Sequence, residues 1–152
     1  MLNIRIAKVA QDTLFIAQNN CAMALETEDK KLDLTTAQLG VNGLFERPQF
    51  GFYMIAESDG RAAASLMVTY EWSDWRNGLF WWIQSVYVHQ DFRRKGIYRE
   101  MYVALKNMAL SEPTPVCGFR LYAETENITA HSTYKNSGMH ICDYIMFEEG
   151  IA

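Results

Sequence analysis

Residues 79–88 read Leu-Phe-Trp-Trp-Ile-Gln-Ser-Val-Tyr-Val, a run in which only Gln84 and Ser85 are polar. It falls well below the ~18 apolar residues needed to span a bilayer, yet it has no polar face to offer water. This pattern predicts a central strand covered on both sides. The run leads into His89-Gln-Asp-Phe-Arg-Arg-Lys-Gly96, a basic turn containing glycine. A helix is predicted from about Ile97 to Leu110, with Ile97, Met101, Leu105 and Met108 on its apolar side.

The flanking segments supply the rest of a mixed α/β sheet. Residues 3–10 alternate as a first strand. Asp12 can cap a helix carrying Leu14, Ala17, Cys21 and Leu25 at spacings of three and four. Thr35 opens a second helix through about Phe45, and Pro48 ends it. Phe52–Glu57 and Ala63–Tyr70 form a hairpin about the Ser58-Asp-Gly60 turn. A polar and aromatic loop follows from Glu71 and turns at Asn77-Gly78. Further elements are a strand at Phe119–Glu124, a short helix at Thr129–Ser137 stopped by Gly138, and a last strand at Cys142–Phe147. No linker or repeat divides the chain, so a single domain over residues 1–152 is expected.

Composition narrows the class. The net charge of −4 sets a low expectation for a nucleic-acid partner, because a phosphate backbone calls for a basic surface. No membrane span or signal-peptide core is present, and the expectation is a soluble, cytoplasmic protein. The three cysteines, Cys21, Cys117 and Cys142, lie far apart without a CxxC pair, which fits a reducing compartment and inert thiols. The three histidines show no ligand spacing, so no metal is expected. Aromatic residues make up 13% of the chain, more than a small core needs, and suggest a lined pocket or an interface.

The segment Val86 to Tyr98 carries the chemistry. A strand running into a basic, glycine-containing turn that opens a helix directs backbone N–H groups at the positive end of the helix dipole, a ready anion site. The alternative is a solvated basic turn. Arg93-x-x-Gly96-x-Tyr98 resembles the Arg/Gln-x-x-Gly-x-Gly/Ala pyrophosphate loop of the GNAT (GCN5-related) N-acetyltransferases, with Tyr98 standing where that family has a small residue. Asn127-Ile-Thr-Ala-His-Ser-Thr-Tyr134-Lys-Asn-Ser-Gly138 resembles the family's Asn…Ala…Tyr-x-x-x-Gly segment.

The resemblance implies a GNAT fold: a central mixed sheet of six to seven strands, flanked by about four helices. The strands near 81–88 and 119–124 would splay to admit acetyl-CoA. It assigns the coenzyme to Val86, Tyr87, Val88, Arg93, Arg94, Lys95, Gly96, Ile97, Tyr98 and Asn127. The Val86 N–H becomes the oxyanion donor, and Tyr134 the acid that protonates the departing sulfur. The central strand offers Trp81, Trp82 and Gln84 where some members carry a basic Glu. The amine proton is therefore expected to leave through water, organised by Glu71, Asp74 or Gln84.

The stretch from Ala24 to Leu39 further resembles the diamine and polyamine branch of that family. The match extends through Phe45-Glu-Arg-Pro48 and Thr69-Tyr-Glu71…Trp75. By this likeness Glu26, Glu71, Trp75 and Gln84 would bind the acceptor. Carboxylates beside indole faces hold cations at roughly 0.5–2 kcal/mol per ring, whereas Glu26 beside Lys30 and Lys31 can equally be a solvated loop. The function implied is acetyl transfer to a small primary amine. A protein or peptide acetyltransferase and a non-catalytic acyl-CoA-binding module are the rivals. A homodimer joined through edge strands suits the architecture, but the sequence does not fix it.

Overall fold

The computed structural model describes residues 1–152. They pack as two compact units, Met1–Tyr122 and Ala123–Ala152. The first unit holds β1 (Leu2–Ile6), α1 (Val9–Glu28), α2 (Leu34–Phe45), β2 (Gly51–Ser58), β3 (Arg61–Ser73), β4 (Gly78–Val88), α3 (Ile97–Leu110) and β5 (Val116–Arg120). The second holds α4 (Ile128–Asn136).

The five strands form one sheet in the order β1-β2-β3-β4-β5. β1 to β4 are antiparallel neighbours, and β5 runs parallel to β4. The sheet is mixed, as the sequence predicts, but it has five strands instead of six or seven. The shortfall lies at the C-terminus, where residues 142–147 join no ladder. A strand cannot satisfy its own backbone groups and exists only beside a neighbour.

Local chemistry explains most boundaries. The β2–β3 hairpin turns through Asp59 and Gly60, both at positive φ, as a two-residue loop requires. Asp33 caps α2 by accepting the Thr36 N–H at 2.9 Å. Asp12 does not precede α1. It lies within the first turn, 2% exposed, and accepts the Lys8 N–H at 2.7 Å and both terminal nitrogens of Arg5 at 2.7 and 2.9 Å. Burial opposes its ionisation, but these bonds outweigh that cost and hold the carboxyl below its ordinary range.

The buried face of α1 is rotated from the predicted one. Leu14 and Leu25 are exposed, while Ile16, Ala17, Asn19 and Ala24 are buried. Small side chains let the helix approach the sheet, where Asn19 Nδ2 donates to Ser65 Oγ at 2.8 Å. On the other face Trp81 packs edge-on against Phe52 and Phe119, and Tyr102 of α3 packs against Phe119. β5 begins three residues before its predicted start. Leu79 N–H donates to Pro115 O at 2.8 Å, and Gly118 lets the Phe80 ring pass where a Cβ would lie 2.7 Å away.

Candidate active site

The site is built on a strand that is paired along only part of one edge. β3 accompanies β4 along its whole length, from Ser73↔Gly78 to Ala64↔Val88. β5 pairs only with Leu79–Trp82. From Ile83 to Val88 the β5-facing edge of β4 therefore has no strand paired with it, whereas Trp81 and Trp82 pair with Phe119 and Arg120, within the strands that the family resemblance expected to splay. A bulge falls in the same stretch: Ser85 and Val86 face the single residue Leu66, with Ser85 in the left-handed region at φ 50°. A bulge of this kind redirects the amides that follow it.

β4 ends in a single 3-10 turn, Gln90–Phe92, and then the basic turn. Arg94 and Gly96 are both left-handed, at φ 62° and 74°. A Cβ on Gly96 would meet nothing within 4 Å, so the space beside it is open. Glu100 N–H to Gly96 O, at 3.1 Å, is the first helical bond of α3. The amides ahead of it in the turn have no helical carbonyl to donate to, and they stand at the positive end of the helix dipole.

The basic side chains divide. Arg94 and Lys95 are exposed. Arg93 is tied back into the fold: Nε donates to Val88 O at 2.8 Å, Nη2 donates to Glu26 Oε2 at 2.7 Å, and its guanidinium lies 5.3 Å from the Tyr87 ring centre. Tyr87 OH donates to the other Glu26 oxygen at 2.9 Å. Partial burial opposes charge on Glu26, yet the bonds from Arg93 and Tyr87 keep its carboxyl below the ordinary range. Burial, then the bond to Glu26, raise the Tyr87 phenol. Glu26 and Arg93, predicted for acceptor and coenzyme respectively, thus bind each other.

Glu71 and Gln84 lie farther along the same sheet. Glu71 Oε1 accepts from Trp82 Nε1 at 2.9 Å and Arg120 Nη1 at 2.8 Å. Gln84 Nε2 donates to Thr69 Oγ1 at 2.6 Å. Trp75, by contrast, is 86% exposed in the β3–β4 turn. Sequence reasoning missed Arg120, which also covers the Phe80 ring at 3.7 Å. The available signal was a charge within the run Phe119-Arg-Leu-Tyr-Ala123, which is otherwise apolar or aromatic.

The sequence matches the acetyltransferase (GNAT) family over residues 14–139. The chain belongs to the GNAT acetyltransferase family. It is 41% identical to a possible acetyltransferase from Clostridium difficile 630, with a TM-score of 0.91 over 100% of this chain and 99% of that one. Two more distant structures share the fold. A predicted acetyltransferase with acetyl-CoA from Clostridium acetobutylicum is 18% identical, with a TM-score of 0.76 over 98% of this chain and 96% of that one. Glucosamine-6-phosphate N-acetyltransferase from Arabidopsis thaliana is 17% identical, with a TM-score of 0.73 over 98% of each. No curated protein matches the chain.

Two features of this GNAT acyltransferase bear on the family's coenzyme. Tyr98, in place of the usual small residue, turns inward: it is buried and stacks on Tyr102 at 6.2 Å with nearly parallel rings. The open space beside Gly96 is therefore not filled by the larger side chain. The unaccompanied edge of β4 likewise leaves backbone groups for an extended ligand, so the residues present fit acetyl-CoA.

In the second unit, Asn127 caps α4 by accepting the Ala130 N–H at 3.2 Å. Tyr134 lies within α4, and its carbonyl accepts the Met139 N–H at 3.1 Å. Burial raises the Tyr134 phenol above its ordinary value, so it keeps its proton at neutral pH.

Proposed function

We propose that this acetyltransferase moves an acetyl group from acetyl-CoA to a primary amine of a small polyamine-, diamine- or amino-acid-like molecule, by direct attack in a ternary complex. The observation that carries the reading is the unaccompanied edge of β4 from Ile83 to Val88, followed by left-handed Arg94 and Gly96.

In this reading the amides of the Arg93–Tyr98 turn hold the diphosphate, with Arg94 and Lys95 adding charge. Val86 and Val88 pair with the pantetheine arm in the manner of an added strand. Arg93 also braces the turn, with Nε on Val88 O and Nη2 on Glu26. When bound, acetyl-CoA supplies an activated acyl carbonyl. The Val86 N–H donates to the oxygen that gains charge during attack. Tyr134 donates a proton to the leaving sulfur.

The acceptor must arrive neutral at nitrogen, and an alkylammonium of pKa near ~10.4 must first lose a proton. Water held near Glu71 and Gln84 takes that proton in this scheme. The family likeness offers a cationic acceptor Glu26, Glu71, Trp75 and Gln84, and an ammonium group would have to share Glu26 with Arg93 or Glu71 with Arg120. The three free thiols fit action in a reducing cytoplasm.

The test is thiol release from acetyl-CoA across polyamines, amino acids, aminoglycosides and a basic peptide. Turnover with at least one small amine is expected. Tyr134→Phe should lower kcat by about 10²-fold or more, within the range for general acid catalysis, while KM for acetyl-CoA changes little. Turnover confined to the peptide, or no calorimetric binding of coenzyme A, would overturn the reading.

A further inference from the structure

The middle of α1, the start of β3 and the end of β4 flank an open cavity of about 400 Å³ that the proposed reaction does not use. Every residue lining it belongs to Met1–Tyr122, and none belongs to the turn from Arg94 to Tyr98. The volume is in the range of small-ligand sites.

Phe15 of α1, Tyr87 of β4 and Phe92 of the 3-10 turn give the cavity aromatic walls. Its one permanent charge is Arg61, which has no carboxylate partner. The Arg61 guanidinium lies 5.2 Å from the Phe92 ring centre, an attraction that positions the cation without neutralising it. Lys95 Nζ lies 5.5 Å from the same ring, so a second cation stands close by. His89 Nδ1 accepts the Asp91 N–H at 3.3 Å, so the neutral ring carries its proton on Nε2 and donates from there. Gln18 and the buried Asn19 add amide groups. No carboxylate lines the cavity. Asp91, 3.6 Å from His89 Nδ1, is not among the lining residues, and Glu26 is held by Arg93 and Tyr87.

A half-buried anion is stable only beside donors and cations, and aromatic walls suit a flat apolar body. We infer that this cavity is a second ligand site, taking a small aromatic anion whose carboxylate or phosphate meets Arg61 and His89 while its ring lies among Phe15, Tyr87 and Phe92. The guanidinium fork matches two oxygens of either group. A cationic amine finds no counter-charge there, which separates this site from that of the acceptor.

Nitrogen-15 NMR of the full chain without coenzyme tests the inference, with benzoate, phenyl phosphate and benzylamine as probes. At least one of the two anions should shift the amides of Asn19, Ala62 and His89 saturably, and the tighter of them tells a carboxylate ligand from a phosphate. Benzylamine, a similar ring with the opposite charge, should not. Arg61→Gln should weaken the anion by about tenfold or more, whereas Arg94→Gln in the neighbouring turn should leave it unchanged. Silence with both anions, equal shifts with benzylamine, shifts confined to residues 93–98, or undiminished binding in Arg61→Gln would overturn the inference. Should Arg61→Gln fail to fold, the shifts in the natural chain decide alone. None of these measurements depends on acetyl transfer, so the failure of either reading leaves the other standing.

Discussion

At the scale of single residues, some backbone positions permit only one kind of side chain. Gly51 lies so close to β3 that a Cβ there would stand 1.9 Å from the Val68 carbonyl oxygen. The obstacle is backbone, which cannot move aside. Gly51→Ala should therefore cost about 4 kcal/mol or more, at the severe end of point substitutions, and urea unfolding would measure it. Gly96 is the opposite case, left-handed but with open space around it. Gly96→Val should lose roughly 1–2 kcal/mol from backbone strain and raise KM for acetyl-CoA far more than it lowers the unfolding midpoint. The strand, turn and helix that carry Val86, Gly96 and Tyr134 were legible in the sequence because each is a local pattern. The Glu71–Arg120 and Glu26–Arg93 pairs were not, because their members are 49 and 67 positions apart and no local pattern reports who meets whom.

At the scale of elements, the bulge in β4 sets the direction of the Val86 amide. Ser85 supports it from the left-handed region, where a β-branched side chain is strained. Ser85→Val should destabilise the protein by about 1–3 kcal/mol and lower kcat, whereas Ser85→Gly should preserve both; thermal unfolding and steady-state kinetics together check this. α3 agrees with the helix predicted from about Ile97 to Leu110 because Ile97, Met101 and Leu105 recur on its buried side, with Met108 only half-buried. α1 was found, but its inward face is carried by Ile16, Ala17, Ala24 and the Asn19–Ser65 bond, while Leu14 and Leu25 of the predicted face are exposed. The unaccompanied half of β4 was anticipated through family likeness and not through hydropathy, since an apolar strand looks the same with one neighbour or two.

At the scale of the whole molecule, several carboxyls are held below their ordinary range in the folded state, among them Asp12, Glu57 and Glu26. A depressed folded value means that the unfolded chain binds protons first. The stabilisation is thus fully present above the unfolded pKa of about 4 and is lost as pH falls through the lower folded values. Unfolding free energy should hold from neutrality to about pH 5 and fall steeply below pH 4. Asp12→Asn should remove part of that acid sensitivity. It should also cost about 3–5 kcal/mol at pH 7 by leaving Arg5 without its most buried partner. A denaturant series across pH compares the two proteins. The brace between Arg93 and Glu26 has its own consequence. One carboxylate fastens the end of the first helix to the loop where the nucleotide would sit, so any cation that claims this carboxylate also slackens the loop. Glu26→Gln should therefore weaken grip on the nucleotide, although residue 26 need touch no phosphate, and an amine that bound there would make its own acyl donor easier to release.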